Sequence, residues 1–190
     1  MDNISPQYTT TKIMQQMRES FVAGDPKSLQ LTNVLVQPFL RVVLQDLSKI
    51  RWQPVHVFDR HVFGKAALPP VLKEWFAAAA TKKFFSEIMG RQIKRIDAEV
   101  YCFHPGAYTL MQDEVPIKKG VTFELDFTPG WDVAAGGFTS FVDGEEKLRV
   151  LPGMNQLTLV QEEGFMQHFV KYVKQSVAKN PRVVVCGLIN

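Results

Sequence analysis

The residues of this 190-residue chain that could do chemistry are few: four histidines, a polar triplet past the middle, and an arginine near the end. The triplet is Gln112-Asp113-Glu114, closing the stretch Gly106-Ala-Tyr-Thr-Leu-Met-Gln-Asp-Glu114. That stretch reads as a β-strand delivering polar side chains into a site, and oxygen donors of this kind can hold a metal ion. Alternate strand residues share a face, so Gln112 and Glu114 project together. Asp113 becomes the relevant carboxylate if the strand ends early. Taken alone, Gln-Asp-Glu is also an ordinary surface turn.

His56 and His61 fall in a support region, Trp52 to Phe63, and read as surface or packed side chains. His104 has the strand parity of Gln112, but eight residues place it roughly 26 Å away along a regular strand. Only a sharp fold at Pro105-Gly106 brings it back. His168 stands in Gly164-Phe-Met-Gln-His-Phe-Val170, and Arg182 opens the run Arg182 to Ile189.

The elements that must position these residues change character along the chain. Residues 1–30 are polar and read as an N-terminal extension, with a short helix around Ile13 to Val22 that Gly24-Asp25-Pro26 ends. Residues 31–190 read as one domain. In 31–92, Leu31 to Val36 is β-prone. Pro38 then opens a helix in which Phe39, Val42, Val43 and Leu47 recur at helical spacing. Trp52 to Phe63 reads as strand. Helices follow at Val71 to Ala80 and at Lys82 to Met89, where Gly90 stops the second. In 93–190 the sequence predicts seven short strands: 93–103, 107–111, 121–127, 138–142, 156–160, 166–172 and 182–189. The spacing of Phe165 to Val177 would also suit a helix. Pro105-Gly106, Pro129-Gly130, Asp143-Gly144 and Pro152-Gly153 mark turns. Helices followed by close-set strands predict an α+β fold, an antiparallel sandwich or barrel buttressed by helices.

Bulk properties narrow the function. Apolar residues make up 46% and charged residues 22%, as in ordinary soluble proteins. Net charge is +3, without a basic run interleaved with aromatics, so no nucleic-acid partner is expected. No apolar run is long enough to span a bilayer, and the start lacks the layout of a secretory signal. Two cysteines, Cys102 and Cys186, form no disulfide framework or metal knuckle, which suits a cytoplasmic protein. Oligomeric state and substrate identity are not expressed in the sequence. No dinucleotide fingerprint, P-loop or Ser-His-Asp spacing is present.

The second half resembles the 2-oxoglutarate- and Fe(II)-dependent oxygenases of the prolyl-hydroxylase type. Five segments in order carry the resemblance. They are Phe103-His-Pro-Gly106 with Tyr108 and Leu110; Thr122-Phe-Glu-Leu-Asp-Phe127; Trp131 with Gly136-Gly137-Phe138; Pro152, Asn155, Leu157 and Leu159 leading to His168-Phe-Val170; and Pro181-Arg182-Val183 through Gly187. The first half fits as well, as a strand, a helix, Trp52 and two further helices. The resemblance implies a double-stranded β-helix, also called a jelly roll and shared with cupins.

It also implies a site. The family holds iron with His-x-Asp on one strand and a distant His, leaving positions for 2-oxoglutarate and O2. Those ligands fall here on Gln112, Glu114 and His168, so two of three depart from the pattern. Glu for Asp keeps charge and donor. Gln for His replaces an imidazole nitrogen by a harder, weaker amide oxygen, which lowers affinity for Fe(II) and favours magnesium or manganese. Arg182 falls where the family's arginine pairs with the C5 carboxylate of 2-oxoglutarate, a role a planar guanidinium suits. Its alternative is a surface position at the strand start. Tyr108 is placed to hydrogen-bond a bound carboxylate, or else is a core aromatic. The implied activity is a dioxygenase hydroxylating a peptide or protein side chain, with Fe(II) and 2-oxoglutarate as cofactors. The alternatives are a catalytically silent relative that binds a ligand or protein, and a cupin-like small-molecule binder or isomerase.

Overall fold

The computed structural model describes residues 3–58, 60–111, 120–176, 178 and 180–190. Gln112 and Glu114, and Asp113 between them, lie outside the described residues.

The chain opens with a 3-10 turn, Pro6–Tyr8, then α1 (Thr11–Ala23), β1 (Ser28–Thr32), α2 (Gln37–Leu47), β2 (Gln53–Val57), β3 (His61–Ala66), α3 (Pro70–Ala77) and α4 (Ala79–Met89). The strands β4 (Ile96–Phe103), β5 (Tyr108–Thr109), β6 (Val121–Phe127), β7 (Thr139–Asp143), β8 (Glu145–Val150), β9 (Met154–Gln161), β10 (Gln167–Val170) and β11 (Arg182–Ile189) follow.

Local signals account for most of these. Thr10 caps α1, its hydroxyl accepting the Ile13 N–H, and Met14, Met17 and Phe21 recur on the buried face. A proline in the first turn sets α2, which buries Leu40, Val43 and Leu47. Gly90, at φ 66°, ends α4 in a left-handed conformation that a side chain would strain.

Among the described residues the strands form two antiparallel sheets. The larger runs β1-β9-β6-β11-β4-β3-β2, with β5 also on β3; the smaller runs β10-β7-β8. The outer face of the large sheet packs on the helices. Phe123, Leu125, Leu157, Leu159 and Val185 meet Phe76, Phe84, Phe85 and Ile88 in the main core. Met14, Met17 and Phe21 of α1 belong to that same core. The opposite face turns towards the small sheet, with Phe141, Val150, Val160 and Met166 packed between. Two facing antiparallel sheets with helices outside constitute the double-stranded β-helix that the sequence predicts.

Two points of the sequence reading are corrected. Trp52 to Phe63 is a hairpin rather than one strand, with β2 and β3 paired from Gln53↔Lys65 to Val57↔His61. Residues 145–150 form β8, paired with β7 through a tight turn at Gly144 (φ 70°). Their sequence, Glu-Glu-Lys-Leu-Arg-Val, reads as surface because one face of this outer strand is solvated. Of the two readings of Phe165 to Val177, the described residues take the strand one, with β10 at Gln167–Val170.

Candidate functional site: a buried arginine between two carboxylates

Strand β6 builds the inside of the barrel. Its seven residues, Val-Thr-Phe-Glu-Leu-Asp-Phe, alternate apolar and polar, yet all are buried. Alternation sends Phe123, Leu125 and Phe127 to the helices and Thr122, Glu124 and Asp126 into the barrel. Pairing with β11 brings Asp126 opposite Val184 and Glu124 opposite Cys186, and Arg182 shares their inward face.

Arg182 is not a surface residue at the strand start; it is fully buried. Its Nε donates to Asp126 Oδ2 (2.7 Å) and its Nη2 to Glu124 Oε2 (2.9 Å). Nη1 donates both to the Gly137 carbonyl (3.0 Å) and to Thr139 Oγ1 (2.9 Å). The remaining carboxylate oxygens are also met. Thr139 donates its hydroxyl to Glu124 Oε1 (2.6 Å), and the Thr128 N–H donates to Asp126 Oδ1 (2.9 Å). Burial opposes the guanidinium charge, but Glu124 and Asp126 outweigh it and hold Arg182 more firmly protonated. Burial also pushes the Asp126 carboxyl upward, against the pull of Arg182. The Phe103 ring lies beside the guanidinium, 6.0 Å from centroid to Cζ.

Glycines carry the backbone that receives Arg182. Gly136 and Gly137 have φ of 73° and 65°, and a Cβ on Gly136 would run into the Tyr172 carbonyl. Trp131 Nε1 donates to the Gly136 carbonyl (2.9 Å), so Trp131 and the glycine pair are structural.

His168 sits on β10, its ring tilted against that of Phe141 with centroids 5.2 Å apart and its side chain 40% exposed. Its Nδ1 lies 3.0 Å from Glu162 Oε1, which also accepts the Thr122 hydroxyl (2.6 Å). A carboxylate on one ring nitrogen is the arrangement that aims the other nitrogen at a metal. Thr139, which meets Arg182, and Phe141, which meets His168, are two residues apart on β7, or roughly 7 Å. The two groups therefore lie along one wall of the barrel.

Tyr108 is partly buried on β5, with its ring 6.3 Å from that of Tyr172. His56 is exposed on the edge strand β2, His61 is partly buried against Phe63, and His104 lies 3.3 Å from the Cys102 sulfur. Among the described residues no group of three or more His, Cys, Asp or Glu side chains could hold a metal ion. Around β5 the surface is apolar: Phe58 is 83% exposed at the tip of the β2–β3 hairpin, and Leu110, Met111 and Tyr172 are also exposed. The Leu110 N–H donates to the Arg60 carbonyl, tying the end of β5 to that hairpin.

Glu124 and Asp126 are the site residues that sequence reasoning passes over. The signal was present as two acids at alternate positions of a seven-residue strand. It looks like a solvated face until the second sheet is known to cover it.

No protein-family profile and no curated protein sequence matches the chain. Solved structures do. A Pseudomonas putida prolyl-4-hydroxylase is 16% identical with a TM-score of 0.70, over 94% of this chain and 98% of that one. A Trichoplax adhaerens prolyl hydroxylase, in complex with a hypoxia-inducible-factor degradation-domain peptide, is 16% identical with a TM-score of 0.69, over 96% and 95%. A Burkholderia pseudomallei oxidoreductase of the 2OG-Fe(II) oxygenase family is 12% identical with a TM-score of 0.69, over 93% and 90%. From near one end to near the other, the chain has the double-stranded β-helix fold of the prolyl-hydroxylase type.

Proposed function

We propose that this chain is an oxygenase-like protein that engages a peptide or protein segment at the apolar rim formed by the β2–β3 hairpin and β5. The observation that carries this reading is the end-to-end match to prolyl hydroxylases, one of them solved with a peptide. The exposed Phe58, Leu110 and Met111 supply surface that such a segment would cover. Hydroxylation of a side chain, with Fe(II) and 2-oxoglutarate, is the activity the architecture supports. In that reading Gln112, Glu114 and His168 hold the metal, and Arg182 and Tyr108 face the cosubstrate.

The second reading is a catalytically silent relative that keeps the barrel as a binding module. The packing of Arg182 favours it. A cosubstrate carboxylate held by two parallel bonds needs two free guanidinium donors, and Glu124, Asp126, Thr139 and Gly137 already take four of the five. The described residues therefore do not fit 2-oxoglutarate at Arg182, and no catalytic step is routed through it.

One experiment separates the two. The protein is mixed with a library of proline-containing peptides, Fe(II), 2-oxoglutarate and air, and each peptide is followed by mass and by retention. Gain of one oxygen with succinate release supports the hydroxylase. Retention without mass change supports the silent module. Neither retention nor oxidation would remove the peptide-directed reading.

A further inference from the structure

In a barrel of this type a buried arginine facing an open interior would be a site for an anion. Here the interior supplies its own. Glu124 and Asp126 reach Arg182 from the neighbouring strand, and all four of their carboxylate oxygens accept a hydrogen bond. Thr139, whose hydroxyl touches the guanidinium, is spent as a relay, accepting from Arg182 and donating to Glu124. All four residues are at most 4% exposed. We propose that Glu124 and Asp126 are built-in counter-ions that fill the carboxylate subsite of the barrel, so that this chain takes no dicarboxylate at Arg182, 2-oxoglutarate included.

The argument is one of charge and of donors. One guanidinium already faces two carboxylates. A dicarboxylate would bring two further negative charges into a dry interior and would have to displace both residents, each held by two hydrogen bonds. Neither resident can swing out to water, because each is rooted on β6 between β9 and β11 in the middle of the large sheet. The same bonds give the barrel a satisfied interior with no ligand present, a condition that buried polar clusters must meet.

The inference rests on the proposed family-like placement of Arg182 but not on peptide binding, so the two fail separately. The test is calorimetric titration and thermal melting with 2-oxoglutarate and, separately, with glutarate, which keeps both carboxylates and lacks the 2-oxo group. Manganese is present throughout. Wild-type protein is expected to give no saturable binding and no melting shift with either. Glu124→Ala, which opens space beside the guanidinium, is expected to bind both compounds saturably, about tenfold or more tighter than the weakest binding the titration would have detected for wild type. If Glu124→Ala is unfolded by circular dichroism, Glu124→Ser, which also opens space beside the guanidinium but keeps a polar group there, takes its place, with the same gain expected. Saturable wild-type binding that is lost in Arg182→Met would overturn the proposal. So would a folded opening variant that stays as indifferent to both compounds as wild type. Binding that survives in Arg182→Met lies elsewhere and leaves the subsite filled, as proposed.

Discussion

Arg182 and Asp126 meet over 2.7 Å where neither side chain reaches solvent, and Glu124 completes the cluster from two residues away on the same strand. Breaking such a cluster from one side is costly because the partners are left charged and dry. Arg182→Met should lower unfolding free energy by about 3–5 kcal/mol. Replacing all three together, as Glu124→Leu, Asp126→Val and Arg182→Met, should cost far less, since no uncompensated charge remains. Urea denaturation of the single and triple variants measures both. A single variant within about 1 kcal/mol of wild type would mean that the cluster is wetter than its burial implies.

Asn155 sets a second test, on how the N-terminal part is fastened to the barrel. Its backbone is left-handed, at φ 57°, and its side chain clasps Leu35 from both sides, accepting the Leu35 N–H and donating to the Leu35 carbonyl, each over 2.9 Å. Asn155→Gly keeps the conformation and loses the bonds. Asn155→Ala loses the bonds and adds backbone strain. The alanine variant should therefore be less stable than the glycine variant by about 1 kcal/mol, with both below wild type. Thermal melts read the order, and an alanine variant at or above glycine would contradict it.

The contrast between these two clusters shows what the sequence could express. The order of elements was legible because prolines, glycines and helical spacing act locally: Pro38 opens α2 and Gly90 closes α4 whatever surrounds them. The location of the barrel was legible because Trp131, Gly136-Gly137 and Pro181-Arg182 recur in a recognisable order. The state of Arg182 was not legible. A guanidinium waiting for a ligand and one already paired have the same letter, and what separates them is the register that sets Asp126 opposite Val184. The β2–β3 hairpin was missed for a related reason: the three residues between Val57 and His61, Phe-Asp-Arg, include no glycine to announce a turn.

Cys102 makes stability sensitive to alkali. It is fully buried, and burial pushes its thiol up from 9.0 to about 12. Across that window the unfolded chain has lost the proton and the folded chain keeps it. The folded state then binds more protons, so stability falls as pH rises above 9, by up to about 1.4 kcal/mol per pH unit from this group. Its contribution is intact below pH 9. Cys102→Ala should flatten the alkaline limb of a plot of urea midpoint against pH without changing the neutral limb's slope. An unchanged alkaline slope would assign the loss to other groups, such as Tyr101, which burial also raises.

The metal reading turns on three residues, of which the structure describes His168. Its Nδ1 faces Glu162, so the imidazole is held as a metal-bound histidine would be, with Nε2 turned away from the carboxylate. The weakness then lies in the other two proposed ligands. Gln112→His with Glu114→Asp substitutes nitrogen for an amide oxygen and shortens the acid, so Fe(II) affinity should rise by about tenfold or more in anaerobic equilibrium dialysis. In that double variant, adding Glu162→Gln should cost about 10- to 100-fold of the gained affinity, because the ring loses the carboxylate that orients it. Melting temperature would report a merely structural role for Glu162, whereas iron affinity reports its orientation of His168. A double variant that binds no more iron than wild type would show that positions 112, 114 and 168 do not converge on one point, and the metal assignment would fall with it.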